Sequence, residues 1–278
     1  MRLIFRAPAT LLLIILLSGF GSGERLFAPD ADLWERWQAH DPASTAVIDH
    51  SPWDGFLKRH VVADPAGANL VRYADVSTED RLLLDNYIAG LAGLPVSRYG
   101  RDEQLAYWMN LYNALTVQVV LTHYPVDSIR DIDISPGFFS DGPWGKKLVT
   151  IEGEQVSLND IEHRILRPVW RDPRIHYGVN CASIGCPDLR RDAFTAENTD
   201  AALTAAARDY VNDSRGVSVE GDSIMVSRIY DWFIADFGGD EAGVIAHLLR
   251  YAEPELAAIL RRKAALDDTR YDWSLNDR

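Results

Sequence analysis

Within 25 residues the chain presents Glu162, His163, His176, Cys181 and Cys186, side chains that accept, donate or relay protons or attack as nucleophiles. A thiol attacks only as a thiolate, so it needs a base or cationic neighbour, and the base needs an orienting acid. Cys181, His176 and Glu162 are those three types. In the chemistry they imply, Cys181 attacks an amide-type bond of a small-molecule or peptide substrate, His176 takes its proton and Glu162 orients the imidazole. His163 supports the set, and Asn180 opens the cysteine loop. Arg174 holds a substrate carboxylate or pairs with Glu162. Gly178 and Gly185 allow close backbone approach, and the amides of loop 180–187 offer an oxyanion hole.

Two other uses of the same residues stay open. Cys181 and Cys186 can form a disulfide in a non-catalytic binding or scaffold domain, although so short a loop gains less from closure than a long one. A small zinc site from His176, Cys181 and Cys186 is the other, without the paired CxxC spacing of common structural sites. No metal and no cofactor is expected. The chain has no G-x-S-x-G elbow, no phosphate loop, no HExxH and no dinucleotide-binding GxGxxG after a strand. Its many acids single out no glycosidase pair.

These side chains need elements to position them. Residues 102–122 read as a helix apolar nearly all round, hence buried, with Asn110 and Asn113 three apart on one side. Buried amides need partners, so these two either tie down loops or form a polar wall of the site. Ser157 with Asp160 reads as a capping box opening a short helix that ends at Arg167-Pro168. Its apolar stripe is Leu158, Ile161, Ile165 and Leu166, and Glu162 falls inside it. Residues 174–179 read as a strand with Ile175, Tyr177 and Val179 on one face and Arg174, His176 and Gly178 on the other.

Hairpins are expected for 147–151 with 154–156 across Glu152-Gly153, and for 217–219 with 224–226 across Gly221-Asp222. Ser77 and Asp80 mark another helix start, and Pro95 ends that helix. Further helices are expected over 196–212, 230–237, 241–251 and 255–263. The fold class is α+β, a single domain of buried helices packed on short antiparallel strands and hairpins.

Residues 1–23 read as a secretory signal peptide: Arg2 and Arg6, the apolar run 11–17, then small residues. The run is too short for a good membrane span, which needs roughly 20 apolar residues. The expected protein is periplasmic or secreted, with no stable membrane insertion after cleavage. An N-terminal helical extension (24–75), a core domain (76–240) and a C-terminal helical extension (241–278) follow. With 28 basic against 41 acidic residues the net charge is −13, which speaks against nucleic acid as a partner.

Three segments in order carry a specific resemblance: 106–115 (AYWMNLYNAL), 158–167 (LNDIEHRILR) and 172–187 (DPRIHYGVNCASIGCP), with 229–233 (IYDWF) downstream. Over about residues 80–240 the chain resembles the domain of unknown function 547 family. The resemblance implies a shared fold, found in bacterial proteins and in plant proteins that also carry coiled-coil regions. It brings no assigned reaction. Its motif positions include Glu162, His163, His176, Cys181 and Cys186. The family is distantly similar to papain-like thiol hydrolases and transglutaminases, which implies a rearranged papain-like core. Papain-like enzymes place the nucleophile at a helix N-terminus, whereas Cys181 follows an expected strand.

Overall fold

A helix without a polar face has to sit at the centre of a molecule, and α3 (Arg101–His123) does so, with 16 of its 23 residues buried. This computed structural model describes residues 28–64, 67–137, 142–263 and 265–278; the expected signal segment lies outside them. Helices α1 (Ser51–His60) and α2 (Thr78–Ala92) pack alongside. Ser77 caps α2 by accepting from Asp80 N at 3.0 Å. A short hairpin of β1 (Val61–Val62) and β2 (Leu70–Val71) follows α1. A second pairs β3 (Val149–Ile151) with β4 (Glu154–Val156). Its turn residues Glu152 and Gly153 have φ of 47° and 88°, the left-handed pair that a tight two-residue hairpin demands.

Beyond α5 (Thr199–Asn212) a second apolar core forms. It gathers β5 (Val217–Glu220), β6 (Ser223–Ser227), α6 (Ile229–Trp232), α7 (Glu241–Leu248), α8 (Pro254–Leu260) and β7 (Asp268–Arg270). Strands β5 and β6 form the expected antiparallel hairpin, with Val217 opposite Val226. The third strand departs from the antiparallel expectation: β7 pairs with β6 in parallel. Three helices intervene between them, and a long crossover is what a parallel neighbour requires. The domain is α+β, with most of its sheet in antiparallel pairs. Among the described residues no helix is long and apolar enough to cross a membrane.

The two cores meet along residues 157–187, where two local expectations need correction. The helix after Ser157 begins with the expected capping box: Ser157 N donates to Asp160 Oδ2 at 2.8 Å and Asp160 N to Ser157 Oγ at 3.2 Å. It then widens into a π-helical turn, Asp160–Leu166, in which Arg167 N donates to Glu162 O. It does not stop at Pro168 but continues as α4 (Arg167–Trp170). The proline stands in the first turn of α4, where a missing N–H costs least.

Residues 174–179 are not a strand. Pro173–Tyr177 is a 3₁₀ turn capped by Asp172, whose carboxylate accepts from Arg174 N at 2.9 Å. The alternation that suggested a strand has another cause: Ile175 and Val179 enter the first core, Tyr177 the second. His176 is therefore buried as well, at 4% exposure.

Candidate functional site

The cysteine loop is built from amides outward. Asn113 on α3 donates to Gly178 O at 2.9 Å and accepts from Asn180 N at 2.8 Å. Asn180 in turn accepts from Ala182 N at 2.9 Å and donates to Pro187 O at 2.8 Å. Ala182 is held at a φ of 57°, a left-handed conformation a non-glycine residue adopts only when its surroundings fix it. From the other side the chain's last segment clamps the loop. Ile184 N donates to Ser274 O at 2.8 Å, Gly185 N to Asp272 O at 2.8 Å and Asn276 N to Ala182 O at 3.1 Å. Gly185 is needed there, because a Cβ would stand 2.6 Å from Asp272 N.

This scaffold sets two free thiols side by side, Cys181 half-buried and Cys186 buried, with sulfurs 3.0 Å apart. Cys181 Sγ also lies 3.0 Å from Tyr271 Oη and 3.3 Å from Ser183 Oγ. Hydrogen bonds from Cys186, Ser183 and Tyr271 hold the Cys181 thiol below its ordinary pKa, against the opposing effects of burial and the Glu162 charge. Burial and the neighbouring sulfur push Cys186 well above its own. One thiol is thus half-buried and of lowered pKa, its neighbour enclosed and of raised pKa. Half-buried rings flank Tyr271: Trp232 at 4.9 Å and Trp273 at 4.6 Å between centroids.

Most of the loop amides expected to offer an oxyanion hole are committed elsewhere. The N–H of Cys181 goes to Cys186 Sγ, that of Ala182 to Asn180, and those of Ile184, Gly185 and Cys186 to Ser274, Asp272 and Ser183 carbonyls. Hydroxyl donors remain beside the sulfur.

The other expected residues gather in a second cluster. His176 Nε2 is 2.7 Å from Asp236 Oδ2, and its Nδ1 faces Glu162 Oε1 at 3.6 Å. Neither nitrogen is bonded to Cys181, so the expected thiol–imidazole pair is not formed here. Although burial works against the charged ring, Asp236 and Glu162 raise the His176 pKa above its ordinary value. Arg167, 4% exposed in its side chain, binds Asp236 at 2.6 Å and donates to His163 Nδ1 at 3.0 Å. That bond leaves the neutral His163 proton on Nε2, 4.0 Å from Glu162. Burial lowers His163 to about 4. Burial also opposes the two carboxylates, yet the cations around them win, and Glu162 and Asp236 both fall to about 2. Phe233 stacks on His176 at 4.4 Å and lies under Arg167 at 4.6 Å.

Three supporting residues have structural partners instead. Arg174 pairs with Asp172 at 2.6 Å and Asp200 at 2.9 Å, on the outer side of the 3₁₀ turn, and does not reach Glu162. Asn110 exchanges both bonds with the Phe194 backbone, at 2.8 and 3.0 Å. Asn113 is spent on the loop as described. Among the described residues no group of three or more His, Cys, Asp or Glu is disposed to hold a metal, and the alternative His176/Cys181/Cys186 zinc set is split between the two clusters. Replacing Asn113 with Leu leaves Gly178 O and Asn180 N without partners in a buried setting. The expected loss is about 3 kcal/mol, read from urea unfolding; an unchanged midpoint contradicts this account of the loop.

Tyr271, Ser183, Asp236 and Arg167 were not among the expected site residues. Ser183 stands within the cysteine loop, Arg167 closes the segment that carries Glu162, and Asp236 follows the Tyr-Asp-Trp-Phe run. Tyr271 and Trp273 are aromatic side chains in a mostly polar tail, a signal that could have drawn attention to it.

No curated protein and no solved structure matches the chain. One family model does, described as "Protein of unknown function, DUF547", over residues 96–211. That stretch holds α3, the π-helical turn, the 3₁₀ turn, the cysteine loop and nearly all of α5. Residues 96–211 of the chain thus match the DUF547 family model, in line with the resemblance its motifs carry.

Proposed function

We propose that the protein acts through a nucleophilic thiolate at Cys181, and that its reaction is thiol–disulfide exchange with Cys186 as the resolving thiol. The observation that carries this reading is the pair itself: a half-buried thiol of lowered pKa with an enclosed thiol 3.0 Å away. An attacking thiol of lowered pKa that substrate can reach, with a resolving neighbour, is what exchange requires. The Cys181 thiolate attacks a substrate disulfide, forming a mixed disulfide and expelling one substrate thiolate. Cys186 then gives up its proton and attacks Cys181 Sγ. The second substrate thiolate leaves, and the Cys181–Cys186 disulfide forms. The substrate gains two electrons and the pair loses two; with a substrate dithiol the same steps run in reverse. An exported location, expected from residues 1–23, suits such chemistry.

The test is a redox titration against dithiothreitol, with free thiols counted by intact mass. The expected result is a reversible two-electron couple with a potential above about −300 mV, the range of labile and catalytic pairs. A disulfide that forms and resists reduction would support a structural staple in a binding or scaffold domain.

A second reading keeps Cys181 as nucleophile in a thiol-dependent hydrolase or acyl transferase acting on an amide-type bond. The observation in its favour is the pair of hydroxyls, Ser183 and Tyr271, placed within 3.3 Å of Sγ where an oxyanion needs donors. His176 could serve as the base only by leaving Asp236. This reading expects repeated turnover of a p-nitrophenyl ester through an acyl group on Cys181; an exchange thiol is acylated once and does not turn over.

A further inference from the structure

A large charged cavity among the described residues is lined by residues that the thiol chemistry does not use. It encloses about 900 Å³ and is framed by the segment after the cysteine loop, the C-terminal half of α5, the turn leading to β5 and the turn after α7. Five arginines line it: Arg190, Arg191, Arg208, Arg215 and Arg250. On a chain of net charge −13 such a concentration is out of keeping with the surface at large.

Their pairing separates them into two groups. Arg215 is structural, bound to Asp188 at 2.9 Å and Asp213 at 3.0 Å and donating to Cys186 O at 3.0 Å. Arg190 donates to Ala202 O at 3.3 Å. Arg191, Arg208 and Arg250 are exposed and make no ion pair with any described residue. With Asp188 and Asp213 committed to Arg215, two lining acids remain, Asp209 and Glu253, against four arginines. The cavity keeps a positive surplus and several guanidinium forks with no protein acceptor.

Guanidinium groups recognise phosphate and carboxylate through paired N–H donors. The cavity is far larger than a bare inorganic ion requires and falls in the range of small-molecule sites. Tyr210, Tyr251, Ala206 and Ala252 supply an apolar part of its wall. We infer that this cavity binds a small organic molecule bearing a multivalent oxyanion, phosphoryl or polycarboxylate, with Arg191, Arg208 and Arg250 on the charged end and the tyrosine side on the remainder. The site is independent of the reaction proposed for Cys181.

The experiment is isothermal titration calorimetry of the full chain with pyrophosphate and, separately, with citrate, at constant ionic strength. Saturable binding with a Kd below about 1 mM is expected for at least one probe. Pyrophosphate alone indicates a phosphorylated ligand, citrate alone a polycarboxylate. In the Arg208→Gln/Arg250→Gln double variant the affinity falls at least about tenfold. Its thermal unfolding curve stays unchanged, since neither side chain holds the fold together. Binding of neither probe, or equal binding by the variant, overturns the inference.

Discussion

Cys186→Ser is expected to accumulate a mixed disulfide at Cys181, and Cys181→Ser to lose exchange by a factor of about 10² or more. The asymmetry follows from what surrounds each sulfur. Cys181 is the accessible thiol and the one held acidic, so it is the atom an external disulfide meets first. Cys186 is 5% exposed and its pKa is pushed up, so it neither meets substrate nor ionises readily until Cys181 is already bonded. A serine at 186 keeps the cavity filled but cannot resolve the intermediate. The bond from Cys186 is also the largest cause of the lowered Cys181 pKa. A hydroxyl replaces it as donor, so first attack survives. Tyr271→Phe removes another of the three donors, and the Cys181 pKa rises. If a mixed disulfide instead gathers at residue 186 in the Cys181→Ser protein, the assignment of the two roles is reversed.

The second large effect is on stability in acid. His50, His163 and His247 are all buried, and burial lowers each to about 4. Local bonds match the neutral ring: Tyr177 Oη lies 2.8 Å from His247 Nε2, and Arg167 donates to His163 Nδ1. In the unfolded chain each imidazole titrates near 6.5. Between pH 6.5 and 4, therefore, the unfolded chain binds protons that the native one refuses. Stability falls as pH falls through that window, by about 3 kcal/mol per histidine at its lower end. Glu162 and Asp236, held at about 2, contribute stability above the ordinary carboxylate range that is lost only as pH falls from about 4 through 2. His176 has the opposite sign. Its raised pKa contributes stability below 6.5 that is lost as pH rises through its folded value, which works against the three.

Set against a usual total of about 5–15 kcal/mol, the net effect is unfolding in mild acid. Urea midpoints measured from pH 7 to 4 should drop steeply below 6.5, and His247→Gln should flatten the slope by close to one proton. A midpoint constant to pH 4 contradicts the burial of these rings.

Local signals in the sequence transferred well to the structure. The apolar run that becomes α3, the Ser157–Asp160 cap, the Glu152-Gly153 turn and the hairpin across Gly221-Asp222 depend on neighbours a few residues away. The juxtaposition of Cys181 and Cys186 is likewise local, a loop of six residues folded on itself. What was not legible depends on distant chain. Tyr271 reaches Cys181 across 90 positions, and Asp236 reaches His176 across 60; no spacing rule connects them. The π-helical turn departs from the 100° step, yet Leu158, Ile161, Ile165 and Leu166 are buried as the stripe required, and Glu162 with them. One local misreading came from applying a strand period to a turn. The Ile175–Tyr177–Val179 alternation arose because two cores lie on opposite sides of one 3₁₀ turn. Asn110 and Asn113 show why a buried amide is ambiguous in sequence: the same side chain lines a site or ties a loop, and only its partners decide.

The central claim, an acidic and accessible Cys181 beside a protonated Cys186, is tested most directly by alkylation with iodoacetamide from pH 5 to 9, followed by intact mass and peptide mapping on the reduced protein. The account predicts a single adduct, on Cys181, whose rate reaches its plateau below the ordinary thiol pKa. Cys186 should stay unlabelled until the chain is unfolded. Equal labelling of both cysteines, or a Cys181 rate that rises only above pH 8.5 as a free thiol does, would contradict it.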